Sequence, residues 1–316
     1  MDGDARMMSW RTHALIALLA ALGLMPAPAA AAPLYADIVV LMDESGSMAG
    51  EQAWIAAQIP NLEAGLLGVG LSPNQYGLIG FGASGASGPA DLRGFDVGGT
   101  GQPNNASDVD PGTFGTAAQF SAAAANLTAW GGFEDGYAAI ALANTLSGRS
   151  GAARNYILVS DEDRDVTASG TYAGLTYAST LSSLTSSNIL LNAIVNNSFY
   201  CDNTPALGVA TDANNNLVTY LADGAGGFTA CTGTSTIGGG FGTTAADYVN
   251  LALATGGAAW DLNFLRSGGL LADSFTEAFL AIKVQEIQQQ PVSEPATLAL
   301  FGVGLAALAR LRGRRR

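Results

Sequence analysis

The sequence predicts an α/β fold: a doubly wound, mostly parallel sheet flanked by helices, with a disulfide-closed β insertion. Three observations point to it. Residues 38–42, Ile-Val-Val-Leu-Met, are continuously apolar, the pattern of a strand covered on both faces. Strand-like and helix-like segments alternate from Asp37 to Gln290, which implies parallel strands joined by helices on both faces. The two cysteines, Cys201 and Cys231, fall in the one stretch that breaks this alternation.

Each element follows in turn. After the first strand, 51–67 places Trp54, Ile55, Ile59, Leu62 and Leu66 at helical spacing. Residues 76–81 form a short apolar strand. The Gly-, Pro-, Asn- and Asp-rich 84–115 reads as loops with an edge hairpin around 92–97. Helices are expected at 114–127, 133–146 and 172–186, and strands at 155–159 and 189–195. Further on, 245–254 is helical, 258–264 a short strand, and 274–288 a last amphipathic helix carrying Phe275, Phe279, Ile282 and Ile287. The insertion spans about 196–244. Its turn at 211–216 separates two strand-like runs, 207–210 and 217–221. Asp212, Asn214 and Asn216 have the spacing that opens a calcium loop. The Gly and Glu that should follow are missing, which favours a plain turn. Gly238-Gly239-Gly240 lacks the Lys and hydroxyl of a phosphate loop.

Charge narrows the function. Between residues 33 and 290 the only bases are Arg93, Arg149, Arg154, Arg164, Arg266 and Lys283, against 23 acids. Such a surface repels phosphate backbones and excludes nucleic acid as a partner, while cations suit it. The single histidine, His13, lies in a segment expected to be removed, which excludes Ser-His-Asp and Cys-His catalysis and histidine-based zinc sites.

Both ends read as targeting segments. Arg6 and Arg11, the apolar 14–24 and the small-residue exit Ala29 to Ala32 describe a secretory signal peptide over 1–32. At the other end, Ser293-Glu294-Pro295 precedes an apolar stretch, 297–308, and five arginines from Arg310 to Arg316. In an exported domain Cys201 and Cys231 are expected to pair, with two buried thiols as the alternative.

The chemistry concentrates where the first strand ends. Asp43, Ser45 and Ser47 stand at i, i+2 and i+4 at the carboxyl end of a parallel strand, where ligands bind in open α/β sheets. A carboxylate and two hydroxyls are hard donors, suited to Mg²⁺ first, with Ca²⁺ or Mn²⁺ as alternatives. Gly46 is expected to let the backbone turn so that both hydroxyls face one point. The bland alternative is a strand-to-helix turn with a serine cap.

Asp-x-Ser-Gly-Ser after a hydrophobic strand resembles the metal-ion-dependent adhesion site (MIDAS) of von Willebrand factor A (vWA) domains. That resemblance covers roughly 35–290 and implies ligands from two more loops. One is Gly131-Gly132-Phe133-Glu134-Asp135, where Glu134 resembles the glutamate of integrin β subunits; most A domains have a threonine there, and Thr128 lies too far upstream to replace it. The other gives Asp161 in Ser160-Asp161-Glu162, similar to the family's Thr-Asp-Gly but without its glycine. The implied metal set is Asp43, Ser45, Ser47, Glu134 and Asp161. Glu44, Glu51, Asp135 and Asp163 are candidates for supporting roles or an adjacent cation. The bland alternative is that Glu44, Glu51 and Asp163 are solvated and that Glu134 or Asp135 only sits in the first turn of a helix, where the macrodipole favours acids.

The tail, 291–316, resembles the PEP-CTERM sorting signal of Gram-negative bacteria, with Glu294 and Pro295 retained and Ser293 in place of the usual first proline. It implies processing by a membrane-embedded exosortase, contact with the membrane only through the tail, and residence at the cell surface or in the extracellular matrix. Together the two resemblances imply a non-enzymatic adhesion domain that binds a protein or exopolysaccharide through a divalent cation. The alternative is a structural matrix protein whose cation only stabilises the fold. Paired acids such as Asp161 and Asp163 could in principle act as a glycosidase pair, but no cleft-forming second domain is evident.

Overall fold

A computed structural model describes residues 32–83, 89–93, 95–96, 111–112 and 114–292. The expected signal peptide, His13 and the sorting residues Glu294 and Pro295 lie outside the described residues. Residues Ala32–Val292 form one compact unit.

Its centre is β1 (Ala36–Asp43), buried along its whole length. It pairs in parallel with β2 (Gln75–Phe81) on one side and β6 (Ala153–Ser160) on the other. β7 (Ile189–Val195) and β14 (Ala259–Asp261) continue the parallel series beyond β6. Alternation along β1 divides the core. Ile38, Val40 and Met42 face a cluster that includes Ile55, Ile59, Phe275 and Phe279, whereas Val39 and Leu41 face one with Tyr137, Ile140, Leu184 and Tyr248. The first cluster is covered by α1 (Ala49–Gly68), α2 (Ala117–Ala124) and the final helix α7 (Gly269–Gln289), and the second by α3 (Gly136–Ala143), α4 (Tyr177–Ser186) and α5 (Asn250–Ala254). A strand with helices on both faces must be apolar throughout, which is why 38–42 carries no polar residue.

The parallel centre is extended by antiparallel strands at both ends. β3 (Ala90–Leu92) pairs with β2. At the other end β10 (Gly208–Thr211), β11 (Leu217–Ala222) and β12 (Phe228–Ala230) follow β14. The insertion therefore lengthens the main sheet as well as adding a small one, built from β8 (Asn197–Cys201), β9 (Thr204–Ala206) and β13 (Ser235–Gly240). Cys201 and Cys231 are disulfide-bonded, closing 30 residues of sequence separation. By chain entropy a loop of that size contributes about 3–4 kcal/mol. The 211–216 turn is a plain one: Asp212 Oδ1 accepts from the backbone of Asn214 and Asn216, both at 2.8 Å. The expected hairpin around 92–97 is corrected among the described residues. β3 pairs with β2, and β4 (Phe95–Asp96) with β5 (Pro111–Gly112).

Three helix starts fall later than the periodicity suggests, each because a side chain caps the helix further along. Thr116 and Gln119 form a capping box for α2, Thr176 and Ser179 one for α4, and Asp135 caps α3 by accepting from the Tyr137 and Ala138 N–H groups. The strand expected at 258–264 stops at Asp261, whose carboxylate accepts from Asn263 N and opens a short helix, α6 (Leu262–Arg266).

Candidate metal centre

The loop after β1 is held by its own aspartate. Asp43 Oδ1 accepts from the Ser45 N–H at 2.7 Å, and Asp43 Oδ2 from the Ser160 hydroxyl at 2.8 Å. Neither serine caps the following helix: the cap position is Met48, with no side-chain hydrogen bond. That leaves the hydroxyls for each other and for the next loop. Ser45 Oγ stands 3.4 Å from Ser47 Oγ, and Ser47 Oγ donates to Asp161 Oδ1 at 3.0 Å. Ser45 is buried and Ser47 exposed, so the cluster opens to solvent at Ser47. The chain does turn at Gly46, closed by Met48 N donating to Ser45 O at 3.2 Å, but the turn does not need glycine: φ is not positive, and a Cβ there would meet nothing within 4 Å.

Glu134 arrives from a separate loop pinned by backbone contacts. Trp130 N donates to Glu44 O at 2.9 Å, and Gly132 N to Gly82 O at 3.2 Å. A Cβ on Gly131 would run into the Gly82 carbonyl, so this approach requires glycine. At Gly82 (φ +82°) a Cβ would stand 3.1 Å from Asp43 Oδ1 and 3.4 Å from Glu134 Cγ, so the two acids meet over this glycine.

Their electrostatics are unbalanced. Burial, opposed by hydrogen bonds from Ser45 and Ser160 and reinforced by the charge of Asp161, raises the Asp43 pKa to about 6. Burial, then the charges of Asp43, Glu162 and Asp165, raises Glu134 to about 8. Glu134 Oε1 is buried and has no hydrogen-bond partner among the described residues. A buried carboxylate oxygen left without a donor is costly unless something positive meets it. A hard divalent cation fits this donor set. Among the described residues no three of His, Cys, Asp and Glu converge closely enough to hold a metal by themselves, so the two hydroxyls would have to complete the set.

The supporting acids have a different character. Three are buried and ion-paired: Glu44 with Arg93, Glu51 with Arg266 at 2.6 Å, and Asp135 with Arg164 at 2.7 Å. Glu44 and Glu51 are thus not the solvated acids of the bland alternative, and Asp135 stands at the start of a helix. Glu44 also accepts from Thr128 N and Oγ1 at 2.9 and 3.1 Å, so Thr128 serves this pair and not the cluster. Asp163 accepts from Thr243 N and Oγ1 at 2.9 and 3.1 Å and ties the insertion to the loop after β6. Asp161 is shared: its Oδ2 takes Arg266 at 2.9 Å. The arginines and Ser160 escaped the sequence reading. The available signal was scarcity, since five of the six bases in 33–290 pair with acids.

Comparison with known proteins adds one decisive observation. Residues 291–316 match the model of the PEP-CTERM protein-sorting motif. The chain carries a PEP-CTERM sorting signal. That signal marks it for export and membrane-associated sorting. No helix among the described residues is long and apolar enough to cross a membrane, and 293–316 lie outside them.

No curated protein matches the chain. Among solved structures it is similar to proximal thread matrix protein 1 of the mussel byssus, at 17% identity over 53% of this chain and 39% of that one, with a TM-score of 0.34. A second structure of that protein has a zinc-occupied MIDAS motif. It is also similar to the pilus adhesin SpaC of Lactobacillus rhamnosus GG, at 15% identity over 53% of this chain and 25% of that one, with a TM-score of 0.35. The chain thus spans well under half the length of either. Likeness this distant carries nothing about the site. The sheet order is that of a mostly parallel α/β fold with antiparallel strands at both ends.

Proposed function

We propose that this domain binds a protein or exopolysaccharide ligand outside the cytoplasmic membrane through a divalent cation, and that it is not an enzyme. Asp43, Ser45, Ser47 and Glu134 would hold the ion, with Asp161 reached through Ser47. When bound, the cation would supply a Lewis-acidic position open toward a ligand oxygen. The observation that carries this reading is the buried, unpartnered Glu134 Oε1 beside Asp43, in a cluster that opens to solvent at Ser47.

The same loop supports a binding role. Trp130 is 74% exposed and Phe133 45%, both within four residues of Glu134. Large exposed aromatics beside a polar site are the composition of a recognition surface. The exported setting follows from the sorting motif, and processing by an exosortase would release the domain from its tail.

The test is retention of the purified protein on exopolysaccharide and outer-membrane material from its own cells, in Mg²⁺ and in EDTA. Retention in Mg²⁺ that disappears in EDTA, and in a Ser45→Ala/Ser47→Ala variant of unchanged circular dichroism, supports the proposal. Retention indifferent to both overturns it.

A further inference from the structure

Arg266 is the last residue of α6, and its guanidinium reaches into the loops of the candidate metal centre. Its Nε donates to Glu51 Oε1 at 2.6 Å. Its Nη2 donates to Asp161 Oδ2 at 2.9 Å and to the Ser47 carbonyl at 3.3 Å, and stands 3.6 Å from Met48 Sδ. The acid side chains are almost covered, 5% exposed for Glu51 and 9% for Asp161, while that of Arg266 is 33% exposed. A planar fork with five donors can hold two carboxylates and a carbonyl together, which a single ammonium cannot do with comparable geometry. The other oxygen of Asp161 accepts from Ser47 Oγ. One arginine therefore ties α6 to the loop after β1, to the start of α1 and to the loop after β6.

We infer that Arg266 is a resident counter-cation that occupies Asp161 and sets how strongly the site takes up a divalent ion. This rests on the proposed cation site. Ser47 holds one oxygen of Asp161 and Arg266 the other, so an ion placed among Asp43, Ser45, Ser47 and Glu134 gains the full charge of Asp161 only against the guanidinium. Asp43 and Glu134 have no basic partner among the described residues, so the competition is confined to Asp161. The domain would then bind its metal more weakly than its donor set allows, and ligation would be tuned by α6.

The experiment is a calorimetric Mg²⁺ titration of the purified protein. Arg266→Gln should bind Mg²⁺ more than tenfold more tightly, because removing a unit positive charge at roughly 6 Å from a divalent ion accounts for about tenfold alone in a water-like dielectric and freeing Asp161 adds to it. Arg266→Gln leaves Glu51 buried without its partner, so Glu51→Gln/Arg266→Gln is measured beside it and should tighten similarly. Asp161→Asn/Arg266→Gln, measured against Asp161→Asn, should gain only about that tenfold, because the rest runs through Asp161. Equal affinity in wild type and both Arg266 variants overturns the inference while leaving the cation site standing. So does an Arg266→Gln gain as large in the Asp161→Asn background as in the wild type, which would make Arg266 a distant charge only. Absence of binding in every variant overturns the cation site itself.

Discussion

The two ends of the parallel sheet treat buried charge differently. At the amino ends of the strands, charges are matched: Asp37 pairs with Arg149 at 2.6 Å, and Lys283, a wholly buried residue of α7, donates to Asn155 at 2.9 Å and lies 3.4 Å from Glu286. At the carboxyl ends, Glu44, Asp135, Glu51 and Asp161 have arginines, but Asp43, Glu134 and Asp261 are buried without one among the described residues. Asp261 caps α6, and burial still raises its pKa to about 6. Paired acids hold loops together, and breaking such a pair is expensive. Unpaired buried acids weaken the fold unless a cation meets them. On the proposed reading, the contrast separates acids that build the edge, Asp261 among them, from Asp43 and Glu134, which would meet a cation.

The largest effect should come from the matched set. Arg164→Ala leaves Asp135 buried with its hydrogen bonds from α3 and Thr167 but without a counter-charge, and should cost about 3–5 kcal/mol in urea unfolding. A loss below about 1 kcal/mol would erase the distinction between paired and unpaired acids. The unpaired set should respond in the opposite direction. Glu134→Gln removes a carboxyl whose ionisation the folded state resists, so in EDTA at pH 8 it should stabilise the domain by about 1–3 kcal/mol while reducing any response to Mg²⁺.

The pH dependence sharpens the same contrast. Asp43 and Glu134 lose their protons near 3.8 and 4.5 when unfolded and near 6 and 8 when folded. Between about pH 4 and 8 the folded state binds more protons, so in EDTA the stability contributed by these groups should fall as pH rises. A cation needs the ionised carboxylates, so the Mg²⁺-induced rise in melting temperature should grow over the same window. A Mg²⁺ effect that shrinks with rising pH would contradict this assignment. The smallest effect belongs to Asp163→Asn. This partly exposed acid ties down Thr243 only, and its loss should cost less than about 1 kcal/mol and leave the Mg²⁺ response unchanged.

Much of this was legible in the sequence where the signal is local. The apolar run into Asp43, the alternation that builds a sheet, the 211–216 turn and the cysteine pair all depend on nearby residues or on simple counting. Distant pairing was not legible. Arg266 meets Glu51 across 215 positions and Asp161 across 105, and no periodicity announces such contacts. Glu44 and Glu51 therefore read as solvated acids when they are buried ones, whereas Asp135 reads from its local context as a residue of a helix start, which it is. The turn at Gly46 is legible inside the motif, but the glycines that the geometry requires are Gly82 and Gly131, on neighbouring loops. Helix starts were misplaced by a few residues because a cap, not the apolar stripe, decides where a helix begins.

The most direct measurement is thermal unfolding of the domain in EDTA and in Mg²⁺, Ca²⁺ or Mn²⁺, beside the Ser45→Ala/Ser47→Ala variant. An ion that binds only the folded state raises the midpoint by mass action. The expected result is a metal-dependent rise in the wild type that the double variant lacks. Identical midpoints in EDTA and in all three metals would contradict a cation site at Asp43 and leave Glu134 a buried acid with nothing to meet it.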